Sequence, residues 1–260
     1  MSIIKQVEDF YGKHSGEKEI IGYSVNNLPI YSFAVKKTAR PIILVQGAIH
    51  AREYVTAKVI LSLAKDFNKK ANVGKVYFLP ITNPDGVKIA LYKDGKYKAN
   101  AHGVDLNVNF PAKWGKGKSN VFVSGAENYV GETPLSEPET RALCDFTIKV
   151  KPDMTISYHS KGEEIYFEFN QRGKRLERDF YLASIASKIT GYPIKSTKGS
   201  CGGYKDWCVQ KLKIPALTIE VGDDRLSHPI GLEHEREITR KNIGVLKELT
   251  EGLLKWSKNL

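Results

Sequence analysis

Short apolar runs alternate with amphipathic segments along most of this 260-residue chain. The runs have the length and β-branched content of strands, and the amphipathic segments repeat their apolar residues at helical spacing. The predicted strands are Ile20–Ser24, Ile30–Val35, Ile42–Val45, Lys75–Ile81, Met154–His159, Glu164–Phe169 and Ala216–Val221, and the predicted helices span residues 2–14, 54–70, 136–150, 174–190 and 233–256. The alternation predicts one α/β domain over residues 1–260, with a mixed, largely parallel twisted sheet and helices on both faces. The N-terminal helix and hairpin, within residues 1–40, belong to the same predicted domain.

A histidine and a glutamate three residues apart, His50 and Glu53, lie between the strand Ile42–Val45 and the helix predicted from residue 54. On a helical turn, positions i and i+3 project from one face, so both side chains can reach a single ion. Zinc accepts imidazole nitrogen and carboxylate oxygen, and a catalytic zinc site has three protein ligands and one open position. A pair with this spacing also occurs on helix surfaces without any ion, so a third ligand is needed.

The third ligand has to come from the other histidines of the chain, which has six in all. His159 stands at the end of a predicted strand, as His50 does, whereas His14 lies near a charged helix and His228 and His234 flank a polar loop. In open α/β sheets, active sites lie outside the carboxyl ends of the strands. We therefore predict that His50, Glu53 and His159 bind one Zn²⁺ ion.

Glu220 is an acidic residue within the otherwise apolar run Ala216–Val221. Burying a carboxylate costs free energy unless it is paired or functional. Beside a zinc-bound water, whose pKa lies near 7, a glutamate can act as a general base. Glu220 is therefore the predicted catalytic residue. Without a zinc site, a solvent-exposed glutamate at a strand end would explain the same pattern.

The formal net charge of the chain is +11. A charge of this size suits a polyanionic partner, and it equally draws acidic peptides towards a cleft. No motif of a nucleic-acid-binding fold is present, so no nucleic-acid partner is expected. The chain shows neither a signal peptide nor an apolar stretch long enough for a membrane span, which predicts a cytoplasmic protein without a membrane partner. The sequence does not indicate an oligomeric state.

Five segments follow one another in a recognisable order: His50-Ala51-Arg52-Glu53, Asn83-Pro84-Asp85-Gly86, Gly103-Val104-Asp105-Leu106-Asn107, His159 and Thr218-Ile219-Glu220. Together they resemble the zinc carboxypeptidase (funnelin) family, over almost the whole chain. The resemblance implies a zinc peptidase in which Glu220 deprotonates the zinc-bound water and later protonates the leaving amine. It also implies that Asp105 holds the far nitrogen of His50, and that Arg52 and Asn107 contact the substrate. An ordinary turn aspartate is the alternative for Asp105.

Three positions depart from the family pattern. Val108 stands where the family has an arginine that grips the terminal carboxylate of the substrate, and valine cannot donate to a carboxylate. Lys98 occupies the segment in which an arginine polarises the scissile carbonyl, and it lacks the planar fork of arginine. Lys198 aligns with the tyrosine that covers the substrate in many members.

Two segments, Tyr158 to Phe167 and Gly202 to Trp207, look like the bacterial γ-D-glutamyl-meso-diaminopimelate peptidases. The resemblance implies that Lys205 takes the position that, in the wider family, lines the floor of the pocket for the residue after the cut. A cation there suits a side chain ending in a carboxylate, as meso-diaminopimelate does. The alternative for Lys205 is a solvated loop residue.

The leading functional hypothesis is therefore a zinc metallopeptidase that cuts the γ-D-glutamyl-meso-diaminopimelate bond of cell-wall peptides, with a peptide or muropeptide as its substrate. A metallocarboxypeptidase removing acidic C-terminal residues is the alternative enzyme. A non-catalytic relative that binds acidic peptides is the alternative from another class: Val108 and the missing arginine favour it, whereas retention of three ligands and Glu220 opposes it.

Overall fold

Seven strands form one mixed sheet in the computed structural model, which describes residues 1–196 and 199–258. The strands are β1 (Lys18–Tyr23), β2 (Pro29–Lys36), β3 (Ile42–Gln46), β4 (Lys75–Leu79), β5 (Met154–His159), β6 (Glu164–Tyr166) and β7 (Ala216–Glu220). Their order across the sheet is β1-β2-β4-β3-β5-β7-β6. The four central strands β4, β3, β5 and β7 run parallel, and the remaining pairings, towards both edges, are antiparallel. The predicted mixed α/β sheet is confirmed, with its parallel part at the centre.

Eight α-helices accompany the sheet in the described part of the chain. They are α1 (Ile3–Lys13), α2 (Val55–Lys70), α3 (Pro84–Tyr92), α4 (Pro138–Val150), α5 (Lys174–Thr190), α6 (Tyr204–Trp207), α7 (Glu235–Asn242) and α8 (Val245–Lys258). Short 3₁₀ turns cover Ala51–Glu53, Leu106–Val108 and Leu232–His234, and a π turn at Cys208–Leu212 continues α6. Among the described residues, no helix is long and apolar enough to cross a bilayer.

Apolar side chains pack on both faces of the sheet, as predicted. Successive residues of a strand point to opposite faces, so Ile43 and Val45 of β3 join a core with α1, α2, α5, α7 and α8, whereas Leu44 joins a second core with α4 and α6. Tyr158 of β5 and Ile219 of β7 belong to the first core. The next residues along those strands, His159 and Glu220, therefore project on the other face, towards α6.

The segment Ser136-Glu137-Pro138-Glu139 has the sequence pattern of a capping box, which would begin the helix predicted over residues 136–150, but the structure shows this prediction to be wrong. The residue that caps the helix is Glu137, without a side-chain bond to the helix, and Pro138 begins the first turn. Ser136 instead donates its hydroxyl to Glu137 Oε1 at 2.7 Å. Glu139 is buried and accepts the amide of Asn100, Nδ2 to Oε2, at 3.1 Å. A long-range contact to the loop around Asn100 thus takes the carboxylate that a capping box would need.

The predicted continuous helix over residues 233–256 is interrupted in the structure. A 3₁₀ turn at Leu232–His234 precedes α7, and α7 and α8 are separated at Ile243 and Gly244. Gly244 has a φ of 89°, in the left-handed region, and its N–H donates to Asp66 Oδ2 on α2 at 3.1 Å. Both helices contribute to the first core, α7 through Ile238 and α8 through Leu246 and Leu249. Helices α3 and α6 were not predicted, and β6 is shorter than predicted.

Candidate metal centre

Three buried side chains, those of His50, Glu53 and His159, converge on one point at the carboxyl end of the central strands. His50 Nδ1 is 2.8 Å from Glu53 Oε1, and His159 Nδ1 is 3.0 Å from Glu53 Oε2. The two Nδ1 atoms face each other at 3.2 Å. Atoms held tetrahedrally at zinc–nitrogen bond lengths of about 2.0–2.1 Å would lie roughly 3.3 Å apart. The donor set and its spacing therefore fit a zinc ion, and the structure brings together the three predicted ligands.

The loop that carries His50 is fixed by the Asn-Pro-Asp-Gly segment. Asn83 is buried and donates its amide to Ile49 O at 3.1 Å and to Ala99 O at 3.0 Å, while its Oδ1 accepts the Gly86 N–H at the start of α3. A Cβ atom at Gly86 would lie 2.4 Å from Ala99 O. One side chain thus ties the loop before His50 to the segment after Lys98, and only glycine fits the close approach.

The site has two carboxylates beside a buried imidazole. Burial lowers the pKa of His50, but the charges of Glu53 and Asp105 outweigh it and raise the pKa to about 9. Burial raises the pKa of Glu53, yet His50 and His159 together hold it well below its usual range. The Ser160 N–H also donates to Glu53 Oε2 at 3.2 Å. This cluster stabilises positive charge, which is what a divalent cation brings.

Asp105 stands behind His50, as the resemblance implies. Its Oδ1 lies 3.2 Å from His50 Nε2, the ring nitrogen that faces away from Glu53. Its Oδ2 lies 2.8 Å from Lys98 Nζ, which also donates to Asn128 Oδ1 at 2.6 Å. Burial raises the pKa of Asp105, but Lys98 and His50 lower it far below its usual range. A charged acceptor at this position fixes the orientation of the His50 ring.

Glu220 is the neighbour of His159 across the parallel pairing of β5 and β7. It is half-buried, and burial followed by the charge of Glu53 raises its pKa well above the usual value. A raised pKa moves a carboxylate towards the range in which it both accepts and returns a proton near neutral pH. The structure therefore places the predicted catalytic residue beside the three ligands.

A cleft of about 330 Å³ opens next to Glu220. It is lined by Asn107, Tyr166, Ser196, Ser200, Gly203, Lys205, Asp206, Thr218 and Glu220. Lys205 is only 6% exposed, which excludes a solvated loop position. Its Nζ donates to Asp206 Oδ1 at 2.6 Å and to Glu168 O at 2.9 Å, which leaves a third N–H for a ligand. Asn107 Oδ1 accepts the Tyr204 N–H at 3.3 Å.

Other residues considered from the sequence lie elsewhere. Arg52 is paired with Glu127, Nη2 to Oε1 at 2.9 Å, and is not among the residues lining the cleft. Lys198 lies outside the described residues. His14 contacts Ala34 O, and His102 contacts Glu137. Within the part of the chain that the structure describes, no histidine besides His50 and His159 joins a group that could hold a metal.

Sequence reasoning missed Tyr166 and Asp206, which both line the cleft. Tyr166 lies on the edge strand β6, opposite Thr218 of β7. An aromatic residue in a short strand usually indicates core packing, and only the pairing of β6 with β7 shows that it faces the cleft. Asp206 follows Lys205 directly, and its approach to the ammonium depends on the turn of α6.

Comparison with known proteins agrees with this geometry. The model of the zinc carboxypeptidase family matches residues 4–241. The chain belongs to the zinc carboxypeptidase family. This peptidase is 26% identical to gamma-D-glutamyl-L-diamino acid endopeptidase 1 of Lysinibacillus sphaericus, over 94% of this chain and 69% of that protein. It is 31% identical to murein peptide amidase A of Escherichia coli, over 78% of this chain and 80% of the relative.

A solved structure has the same fold. Bovine thrombin-activatable fibrinolysis inhibitor, in complex with tick carboxypeptidase inhibitor, superposes with a TM-score of 0.86 at 24% identity, over 98% of this chain and 97% of that one. The peptidase therefore has the architecture of the family from its first strand to its last helix. The predicted family and the prediction of an enzyme are confirmed.

Proposed function

We propose that this zinc peptidase hydrolyses the γ-D-glutamyl-meso-diaminopimelate bond of bacterial cell-wall peptides. The observation that carries the proposal is the buried ammonium of Lys205 in the cleft beside Glu220. A peptide whose scissile bond lies between the ligands and Glu220 places the residue after the cut in this cleft. A cation with a remaining N–H there recognises an ionised carboxylate at the end of that residue. The diamino acid of wall peptides carries such a group.

One Zn²⁺ ion fits His50, Glu53 and His159 by donor type and by spacing. When bound, zinc supplies Lewis acidity, which lowers the pKa of water to about 7 and polarises a carbonyl. Asp105 would orient His50 through the Nε2 contact at 3.2 Å. The Ser160 N–H at 3.2 Å would keep Glu53 in position.

Glu220 carries the proton in the proposed reaction. Its carboxylate accepts the proton of the attacking water and donates it to the nitrogen of the leaving residue, so that the C–N bond breaks and an amine leaves. Burial and the charge of Glu53 raise the pKa of Glu220, which favours return of the proton. The ammonium of Lys98 contacts Asp105 and Asn128, which leaves one N–H. That N–H would stabilise the negative charge that develops on the oxygen of the scissile carbonyl.

The substrate class is supported by the relatives. Murein peptide amidase A and the gamma-D-glutamyl-L-diamino acid endopeptidase are named for peptides of this kind. Asn107 lines the cleft and would contact the substrate. Arg52 would contact the substrate only after its ion pair with Glu127 is broken. Val108 offers no donor for a terminal carboxylate. We take residues 1–260 as one peptidase domain, because β1 and β2 extend the sheet that carries the site.

A metallocarboxypeptidase that removes acidic C-terminal residues is the second candidate. Lys205 favours it for the same reason, since an aspartate or glutamate side chain also ends in a carboxylate. The two candidates differ in the bond that is cut: a γ-glutamyl bond in one, and an ordinary α-peptide bond in the other.

Product analysis separates these functions. The zinc-loaded protein is incubated with L-alanyl-γ-D-glutamyl-meso-diaminopimelate and with unmodified peptides ending in glutamate, and the products are identified by mass spectrometry. Release of diaminopimelate from the first supports the proposal, and loss of glutamate from the second alone rejects it.

Glu220→Gln should lower kcat by about 10²–10⁴-fold with substrate binding retained. The matched control Glu132→Gln changes an exposed carboxylate and should have no effect. Binding without turnover by the unmodified protein would identify a non-catalytic relative.

A further inference from the structure

A tyrosine of β6 lines the cleft, and a glutamate of the same strand contacts its hydroxyl; neither has a part in the proposed mechanism. Tyr166 lines the cleft, and its hydroxyl donates to Glu164 Oε2. Glu164 and Tyr166 face Glu220 and Thr218 across the antiparallel pairing of β6 and β7. Alternate residues of a strand share a face, so both side chains lie on the face of the sheet that carries Glu220. Glu164 is neither a proposed metal ligand nor the proposed proton carrier.

The phenol oxygen of Tyr166 keeps its acceptor capacity. The hydroxyl of Tyr166 donates its hydrogen to Glu164, so the lone pairs of the oxygen can still accept a hydrogen bond from a donor in the cleft. The charge of Glu164 lies directly behind that oxygen. Lys195 is 3.9 Å from Glu164 Oε1 and half its side chain is exposed, so this contact is a loose surface pair. A phenol backed by a carboxylate is a site for an ammonium group.

Asp206, which lines the cleft together with Glu220, already has partners for both of its carboxylate oxygens. Asp206 accepts the Gly203 N–H on Oδ2 at 3.1 Å and Lys205 Nζ on Oδ1 at 2.6 Å. The charge of Asp206 therefore balances that of Lys205, and Lys205 keeps one N–H beyond its bonds to Asp206 and Glu168 O. Among the lining residues of the cleft, Lys205 thus offers a cationic donor, and Tyr166, whose hydroxyl is bonded to Glu164, offers an acceptor apart from the proposed proton carrier Glu220. Its volume of about 330 Å³ suits a single amino-acid side chain.

We propose that Tyr166, backed by Glu164, and Lys205 together select a leaving residue whose side chain ends in both an ammonium and a carboxylate. This selection rests on the proposed function and extends it, because it names the residues that would recognise the distal ammonium of the diamino acid as well as its distal carboxylate. Lys205 contacts the distal carboxylate. Tyr166 accepts a hydrogen bond from the distal ammonium, and the charge of Glu164 adds to that bond.

Binding of three free amino acids tests this without any scissile bond. Isothermal titration of the zinc-loaded protein is carried out with meso-2,6-diaminopimelate, with L-2-aminopimelate, which lacks the distal ammonium, and with L-lysine, which lacks the distal carboxylate. We expect meso-diaminopimelate to bind about tenfold more tightly than either, since each loses one charge-assisted hydrogen bond.

Two variants assign the preference to β6. Tyr166→Phe keeps the ring and should reduce the ratio of the dissociation constants of 2-aminopimelate and meso-diaminopimelate to within about twofold. Glu164→Gln keeps an acceptor for the phenol but removes the charge, and should reduce the same ratio. The matched control Tyr181→Phe changes a tyrosine that packs against Trp256 outside the cleft, and should leave the ratio unchanged.

The outcomes are distinguishable. If the wild-type protein binds the two pimelates equally, or if Tyr166→Phe keeps the tenfold preference, the inference is wrong even when γ-glutamyl peptides are cleaved. A Glu164→Gln variant that lowers kcat for every substrate while keeping the binding ratio also overturns it, because Glu164 then acts on Glu220. If no γ-glutamyl bond is cut but the ammonium preference depends on Tyr166, the selection stands and the proposed bond is wrong.

Discussion

Lys98 Nζ lies 2.8 Å from Oδ2 of Asp105, whose other carboxylate oxygen is 3.2 Å from Nε2 of His50. Asp105 is buried, which by itself disfavours its charged form. The ammonium of Lys98 and the imidazole of His50, one on each side, stabilise that charge. The same carboxylate links His50, a proposed metal ligand, to Lys98, the proposed donor to the carbonyl oxygen. Substitutions on its two sides should therefore have separable effects.

Removing the charge of Asp105 should weaken zinc binding. Asp105→Asn keeps the shape of the side chain but lowers its strength as an acceptor, and loss of such a partner typically costs 10–100-fold in metal affinity or activity. Zinc affinity is measured by competition with a chromophoric chelator. Asp145→Asn, at an exposed position of α4, is the control. Unchanged zinc affinity in Asp105→Asn would contradict the role given to the carboxylate.

Replacing Lys98 should affect turnover and not metal content. Lys98→Met removes the ammonium that is proposed to stabilise the carbonyl oxygen, and we expect kcat to fall by about 10²–10³-fold, the usual cost of one such donor. The zinc affinity should not fall, because the ammonium of Lys98 repels a bound cation and its removal takes that repulsion away. Lys98→Arg keeps a donor and should recover part of the rate. If Lys98→Met loses zinc and Lys98→Arg regains it, Lys98 acts only by supporting Asp105.

Chelation should inactivate the peptidase without unfolding it. His159 ends β5 and His50 lies in the loop after β3, and the apolar residues of both strands pack on both faces of the sheet, so we expect the core not to depend on an ion. After treatment with a chelator, far-ultraviolet circular dichroism should be unchanged, and one equivalent of zinc should restore hydrolysis. Zinc should also raise the Tm, because it binds the folded state alone. Loss of the dichroism signal on chelation would show that the ion holds the fold together.

A methyl group at Gly202 should destabilise the cleft. Gly202 has a φ of 89°, and a Cβ there would lie 2.8 Å from Val108 O, a backbone atom that cannot yield cheaply. Gly202→Ala should therefore reduce the free energy of unfolding by more than about 1 kcal/mol, measured in urea. Gly12→Ala is the matched control: it lies in α1 with open space around it and should stabilise by about 0.5–1 kcal/mol. Equal effects of the two substitutions would contradict the steric argument.

The sequence predicted those features whose signals are local. Strands β3 and β5 are both apolar runs in the sequence. His50 follows the first run closely and His159 ends the second, and both positions can be seen in the sequence without tertiary information. The convergence of the two histidines then follows from the parallel pairing of β3 with β5. The sheet and the candidate site could be predicted for this reason.

Features that depend on contacts between distant segments could not be predicted. The role of Asn83 depends on such contacts: besides capping α3, its amide donates to Ile49 O and to Ala99 O, which are 34 and 16 residues away in sequence. The break before α8 follows from the contact of Gly244 with Asp66 on another helix. The position of Tyr166 depends on an edge strand of three residues, for which the sequence pattern is too short. In each case the deciding partner lies far away along the chain.

The two imidazoles that face each other at 3.2 Å are 109 residues apart in sequence and reach one point only through the pairing of β3 with β5. Contacts between such distant segments close large loops and form slowly during folding. A nascent chain in which these two strands have not paired has no site for the cation. Acquisition of zinc by the newly made protein should therefore mark the completion of its central sheet, and hydrolytic activity should be withheld until the chain is almost fully folded.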